Sequence, residues 1–197
     1  MPRGNFRAFD TDAALDRALK VFWERGYEGS SLTVLTKALG ISRPSLYAAY
    51  GNKEQLFQKV LDRYEVGPMM FRTYAMQEPN ARAVAEHLLY GTIENITNED
   101  TPSGCLFVQA ALSCGEESED IRQELNMRRA STEQALSRRF AQAVDDGDLP
   151  SHTDPDRLAR YVTTVQHGLC VQATGGATRE ELLEVVDMAM MAWPKNS

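Results

Sequence analysis

Residues 31–57 read SLTVLTKALGISRPSLYAAYGNKEQLF, and this stretch decides the fold. Leu32, Leu35 and Leu39 recur at helical spacing, and Ser31 is placed to cap their first turn. Gly40-Ile41-Ser42 interrupts the pattern after only about two turns, so a tight turn is expected there. Ser42 is a second N-cap, and Pro44 stands close behind it, where a missing amide hydrogen costs little. A further helix is expected from about Arg43 to Tyr50. Gly51 ends it, and Asn52 opens the next as a capping box with Gln55.

Two short helices joined by a tight turn are what a DNA-reading unit needs. One helix presents side chains to base edges in the major groove while the other braces it against the backbone. Leu32, Leu35, Leu39, Ile41, Leu46 and Tyr50 form the apolar glue, which leaves Thr33, Arg43, Ser45, Tyr47 and Ala48 to face outward. That outward set suits nucleic acid: arginine contacts guanine or phosphate, hydroxyls reach either, Tyr47 reaches phosphate, and Ala48 touches a thymine methyl. Lys53 adds its charge to the exposed amides of a helix start, a natural phosphate clamp. Helix hairpins of this length also occur in all-α proteins that never touch DNA, so a non-DNA-binding helical scaffold is the alternative on pattern alone.

The run Ser31 to Phe57, preceded by Phe22-x-x-x-Gly26-Tyr27, resembles the N-terminal signature of TetR/AcrR-type transcriptional regulators. The resemblance is gap-free over about Asp10 to Leu61, and a weaker likeness continues in Ser103 to Leu112. It implies that Gly40 shapes the turn, Ser42 starts the recognition helix, Tyr47 meets phosphate and Lys53 contacts the DNA backbone from the fourth helix. The DNA-binding set expected is Ser31, Thr33, Ser42, Arg43, Pro44, Ser45, Tyr47, Ala48 and Lys53. Thr36, Leu39 and Tyr50 depart from the pattern, which favours Ala, Ala and Phe; these changes should perturb packing little.

Outward from the motif, Leu15, Ala18, Leu19 and Phe22 define a first helix from about Asp10 to Arg25, stopped by Gly26, with Trp23 in the core. Gly67-Pro68 breaks or kinks the fourth helix. Farther on, Asp154-Pro155 is an N-cap followed by proline, and Thr178 to Glu181 is another capping box. No alternating strand pattern lies between turn signals. The expected fold is all-α, with about nine helices. A three-helix DNA-binding head over residues 1–52 joins an effector-binding and dimerisation body over residues 53–197.

The chain of 197 residues has 43% hydrophobic and 25% charged residues, within the soluble globular range. Its net charge of −7 is unevenly spread. Residues 1–65 hold ten Lys/Arg against eight Asp/Glu, and residues 66–197 hold eleven against twenty. An acidic body repels DNA and leaves contact to the head, although a small basic excess is weak support by itself. No apolar run is long enough for a membrane span, and the opening residues lack the apolar core of a secretory signal, so a cytoplasmic protein without membrane contact is expected. Cys105, Cys114 and Cys170 form neither a disulfide framework nor a Cys-x-x-Cys metal pattern and read as reduced thiols. His87, His152 and His167 lie on separate segments, and no phosphate loop or nucleophile elbow is present; neither metal, cofactor nor enzymatic activity is expected.

The resemblance implies a homodimer on double-stranded operator DNA, repression as the default, and release by a small-molecule effector. Dimerisation has a physical rationale, since one short helix binds weakly and a two-fold pair reads two half-sites. Leu158, Tyr161, Val162, Val165 and Leu169 form one stripe, and apolar residues surround most of the segment Leu182 to Met191, which needs more than one partner. Pocket candidates are Met70, Tyr74, His87, Tyr90, Phe107, Gln109, Gln166, His167 and Cys170, together with Met69 and Phe71; each competes with a plain core role. Cys105 follows Pro102-Ser-Gly104 at a helix start, where a thiol's pKa falls. It is a candidate electrophile or oxidant sensor, against the simpler reading of a small buried hydrophobe.

Overall fold

The computed structural model describes residues 10–113 and 118–195. Cys114 and the opening segment, on which the thiol and signal-sequence readings bore, lie outside the described residues. Among the described residues there are ten helices and no strand: α1 Thr11–Gly29, α2 Leu32–Leu39, α3 Arg43–Tyr50, α4 Lys53–Val66, α5 Phe71–Ala75, α6 Ala81–Ile96, α7 Leu106–Ser113, α8 Glu119–Asp145, α9 Pro155–Thr174 and α10 Arg179–Met191. The all-α expectation holds, with one helix more than the nine anticipated.

Local chemistry sets most of the boundaries. Asp10 Oδ1 accepts from the amides of Asp12 and Ala13 at 3.0 and 3.1 Å, which starts α1. The helix breaks at Gly26, which adopts φ 68°, and resumes to Gly29, slightly past the stop expected from sequence. At Gly67-Pro68 the chain makes a complete break, because α4 ends at Val66 and a separate five-residue α5 follows. Both predicted capping boxes form, at Asn52/Gln55 and Thr178/Glu181.

One continuous apolar core runs from α1 to α10. α1 buries Ala14, Ala18, Leu19, Phe22 and Trp23 against α2, α4 and α7, so it belongs to head and body at once. Each large side chain fully withdrawn from water there contributes roughly 1.5–3 kcal/mol. In the body α8 packs on α9 and α7, while α6 packs on α9, α5 and α10. Arg128 of α8 ties that layer to α4, reaching Asp62 at 2.6 Å and Glu65 at 2.9 Å while also holding Glu124 at 2.7 Å. No helix among the described residues is long and apolar enough to cross a membrane.

Candidate nucleic-acid interface and effector cavity

The turn between α2 and α3 is built from backbone chemistry. Gly40 takes the left-handed conformation (φ 69°, ψ 29°). Its amide donates to the Lys37 carbonyl at 3.3 Å, and the Ile41 amide donates to Thr36 at 3.2 Å. This pair is the Schellman closure, which satisfies carbonyls that a helix end leaves open. A residue with a Cβ meets nothing within 4 Å there, so the demand for glycine is conformational and not steric. Two residues on, Ser42 Oγ accepts from the Ser45 amide at 3.3 Å and lies 2.9 Å from the Ser45 hydroxyl. At the head of α2, Ser31 Oγ accepts from the Val34 amide at 3.3 Å.

Four side-chain bonds fix this unit in orientation. Arg43 donates to Thr33 Oγ1 at 2.9 Å, linking α3 to α2. Arg17 of α1 donates to the Leu39 carbonyl at 3.2 Å, at the negative end of α2. The Tyr50 hydroxyl donates to the Thr11 carbonyl at 2.7 Å, and the Thr36 hydroxyl donates to Leu32 at 2.8 Å. All three departures from the family pattern are accommodated: the Leu39 side chain is buried in the core, and the added hydroxyls of Thr36 and Tyr50 are each satisfied. Tyr50 gains an anchor that phenylalanine lacks.

Leu46 and Tyr50 are buried, while Arg43, Pro44, Tyr47 and Ala48 are exposed on one face of α3, Tyr47 at 48%. Ser31, Thr33 and Ser42 are exposed beside them, and Ser45 is partly buried. Lys53, at the first position of α4, lies with Nζ 4.1 Å above the Tyr27 ring, a cation–π contact that aims it beside the start of that helix. Of the nine residues expected to meet DNA, seven are exposed on α2, α3 and their caps, while Ser45 and Lys53 are half-buried.

Behind the head lies a small cavity lined among others by Met69, Phe71, Arg72, Cys105, Phe107, Arg129, Gln166, His167 and Cys170. Its free volume of about 20 Å³ holds roughly one water, well short of a bound organic molecule. Of the residues expected at a pocket, Phe107, Gln166, His167 and Cys170 face it, as do Met69 and Phe71. The others are placed elsewhere. His87 Nδ1 lies 2.7 Å from Glu78, and the Tyr90 hydroxyl donates to Asp187 at 2.8 Å, both beside an open depression on α6. Gln109 donates to Ser103 and Thr174, each at 2.8 Å. Tyr74 is 56% exposed, and Met70 lies in the turn before α5 outside the cavity. Arg72, Arg129, Thr92 and Asn95 line the cavity and were missed by sequence reasoning, because polar side chains on these helices carry no spacing signal that points them inward.

Cys105 precedes α7 and is buried. A hydrogen bond from Cys170 holds its thiol below the ordinary value, helped by Tyr64, the Val108 amide and the Arg72 charge, while burial opposes the shift. The same bond raises Cys170, with burial acting in the same direction. His167 is pushed down to about 4, first by burial and then by Arg129 and Arg72.

The cavity is wired to the head. Trp23 Nε1 donates to the Gly104 carbonyl at 3.0 Å, a buried bond from α1 to the residue before Cys105. Gly104 has φ 81°, and a Cβ there would fall 2.0 Å from the Gln109 amide nitrogen, so no other residue fits without moving Gln109. Tyr64 of α4 accepts from the Leu106 amide at 3.4 Å. The Tyr64 ring stands edge-on to Trp23 at 4.8 Å and to Phe107 at 5.0 Å. α1, α4 and the cavity wall thus share one packed aromatic cluster. Among the described residues no group of His, Cys, Asp and Glu could hold a metal ion.

A rigidly mounted, exposed recognition helix on an all-α body defines a helix-turn-helix regulator. Residues 14–60 match the family model for bacterial regulatory proteins of the tetR family, and residues 82–180 match a tetracyclin repressor-like C-terminal domain. The HTH-type transcriptional repressor ComR of Escherichia coli K12 is 34% identical over 98% of this chain and 93% of its own. A cysteine-substituted form of the TetR family regulator CifR, solved with 26-bp double-strand operator DNA, is 44% identical. It superimposes with a TM-score of 0.91 over 98% of this chain and all of that one. The reduced form of E. coli NemR, at 22% identity, 90% and 93% coverage and a TM-score of 0.76, shares the fold. The chain belongs to the TetR family of transcriptional regulators.

Proposed function

We propose that this protein is a homodimeric repressor that holds operator DNA through α3 and releases it when a small molecule enters the body cavity. It acts in the cytoplasm, without cofactor, membrane contact or enzymatic activity. The carrying observation is the α3 face, where Arg43, Tyr47 and Ala48 stand exposed between two capped ends. CifR, 44% identical and solved with operator DNA, supports operator binding by this chain. In this reading Arg43, Ser45 and Ala48 read base edges. Ser31, Thr33, Ser42, Pro44, Tyr47 and Lys53 seat the unit on phosphates and sugar.

The head spans residues 1–52 and the body residues 53–197, with α4 as the lever between them. The second subunit packs on the outer face of α9 and α10, where Tyr161, Val185, Met188 and Met191 are exposed, Met188 at 68% and Met191 at 73%. So much apolar surface on adjacent helices marks an interface. Opening the cavity displaces the Gly104–Phe107 segment, and with it Trp23 and Tyr64, which changes the separation of the two recognition helices. An effector shifts that equilibrium only by its different affinity for the two states.

Fluorescence anisotropy with a duplex from the gene's own promoter region tests the reading. Retention should fall steeply with salt and be abolished in Arg43→Ala/Tyr47→Ala. Retention that ignores salt, or persists in the double variant, refutes it and favours a helical scaffold.

A second reading concerns how the effector acts. The lowered thiol of Cys105, set beside Arg72, Tyr64 and Cys170, favours attack on an electrophile or oxidant entering the cavity. Full inducer response in Cys105→Ser eliminates it.

A further inference from the structure

Two arginines face the cavity, and the counter-charge on its lining is the Cys105 thiol, lowered to about 6. Arg72 and Arg129 both line it, and no carboxylate does. Among the described residues the Arg72 side chain makes no hydrogen bond or ion pair, and burial lowers its pKa from the usual arginine range. Arg129 Nε is buried without a partner, and its guanidinium otherwise meets only the Asn126 side-chain oxygen. The largest charge acting on Arg72 is that of Cys105, followed by Glu65, and among the described residues no carboxylate pairs with either arginine. Glu65 pairs with Arg128 at 2.9 Å, and Glu133 pairs with Arg160 at 3.3 Å while accepting from Thr163. His167, on the same wall, adds no negative charge in any protonation state.

Both side chains are only partly exposed, and a bound anion supplies the Arg72 guanidinium and the buried Arg129 Nε with acceptors that the empty protein does not offer them. The remaining walls are apolar, with Phe71 and Phe107 prominent. We propose that the cavity binds a small organic carboxylate, its oxygens between Arg72 and Arg129 and its apolar body against Phe71 and Phe107. The guanidinium fork matches carboxylate geometry and is the side chain suited to that task. This deepens the reading of the body as the effector site and rests on it for any effect on DNA. The present free volume admits only a water, so binding requires the walls at Phe71 and Phe107 to part, which makes the ligand selective for an opened state.

The test uses the full-length protein with acetate, butyrate, octanoate, benzoate and phenylacetate, each paired with its neutral amide, in thermal shift and calorimetry at pH 7.5. At least one carboxylate is expected to raise the melting temperature by several degrees and its amide by far less. Arg72→Met and Arg129→Met should each weaken that carboxylate at least about tenfold while changing the ligand-free melting temperature little, because each removes a half-buried cation that no carboxylate pairs with. Arg129→Gln serves the same purpose should Arg72→Met fail to fold. Amides that stabilise as well as acids, a panel in which no carboxylate stabilises, or affinity retained in both arginine variants overturns the proposal. Operator release is measured separately. Carboxylate binding that leaves the duplex bound keeps the anion site and refutes the effector reading, whereas release by neutral compounds alone does the reverse.

Discussion

Replacing Tyr64 by Phe removes one oxygen from the centre of the molecule. The ring is fully buried, and its edge-on contacts with Trp23 at 4.8 Å and Phe107 at 5.0 Å survive the change. Lost are the bond accepted from the Leu106 amide at 3.4 Å and the bond donated to Cys105. A buried donor left without an acceptor costs about 1–3 kcal/mol, and a bond as long as the first sits at the low end, near 1 kcal/mol. The Cys105 bond is of the weak sulfur kind and adds less, so the expected loss is about 1–2 kcal/mol. For a chain of this size that lowers the melting temperature by roughly 3–6 °C. Because Tyr64 donates to the thiolate, its loss should also raise the Cys105 pKa. Urea unfolding followed by circular dichroism measures the first effect. Alkylation rates against pH, with the Cys105 peptide resolved by mass spectrometry, measure the second. An unchanged midpoint together with a superimposable alkylation profile would refute the claim that α4 and the cavity wall are joined through this hydroxyl.

Lys53→Ala should weaken operator binding uniformly across sequences and lower the slope of log K against log salt by about 0.9, one phosphate's worth; an unchanged slope removes Lys53 from the interface. Lowering pH should cost stability through His167. Its folded pKa of about 4 lies below the 6.5 of the unfolded chain, so the unfolded state binds more protons between those values. Stability is therefore full above about 6.5 and falls as pH drops toward 4, by roughly 2 kcal/mol after allowing for partial exposure. His167→Gln should flatten that part of a urea-midpoint profile. Arg128→Met leaves Asp62, Glu65 and Glu124 facing one another without their shared cation. A loss of about 1–2 kcal/mol is expected at low ionic strength, shrinking as salt screens the carboxylates; a salt-independent loss would point to packing instead.

The parts of the molecule legible in sequence are those whose chemistry is local. Ser31, Gly40, Ser42 and the Asn52/Gln55 pair act on backbone groups within three or four residues, so their spacing alone announces the turn and both helix starts. Tyr47 and Ala48 fall on the outer face of α3 by the same periodicity. Cavity residues have no such signal. Tyr90 and His87 look like pocket-lining groups until Asp187 and Glu78, distant or around a turn, claim them. Arg72 and Arg129 look like ordinary surface charges until α5 and α8 close over the same space. Trp23 reads as core, which it is, but its bond to Gly104 spans 81 residues of sequence and no periodicity encodes it.

The Schellman closure at Gly40, the Arg43–Thr33 and Arg17–Leu39 bonds and the Tyr50 anchor make the reading head a single solid part. On the proposed function, a signal arriving through Trp23 and α4 alters where that part sits but not which bases it prefers. Address and trigger are therefore separately heritable. Exchange of the outward residues of 43–48 would send the regulator to other promoters with its inducer unchanged, and drift in the cavity would give it new inducers at the promoters it already holds.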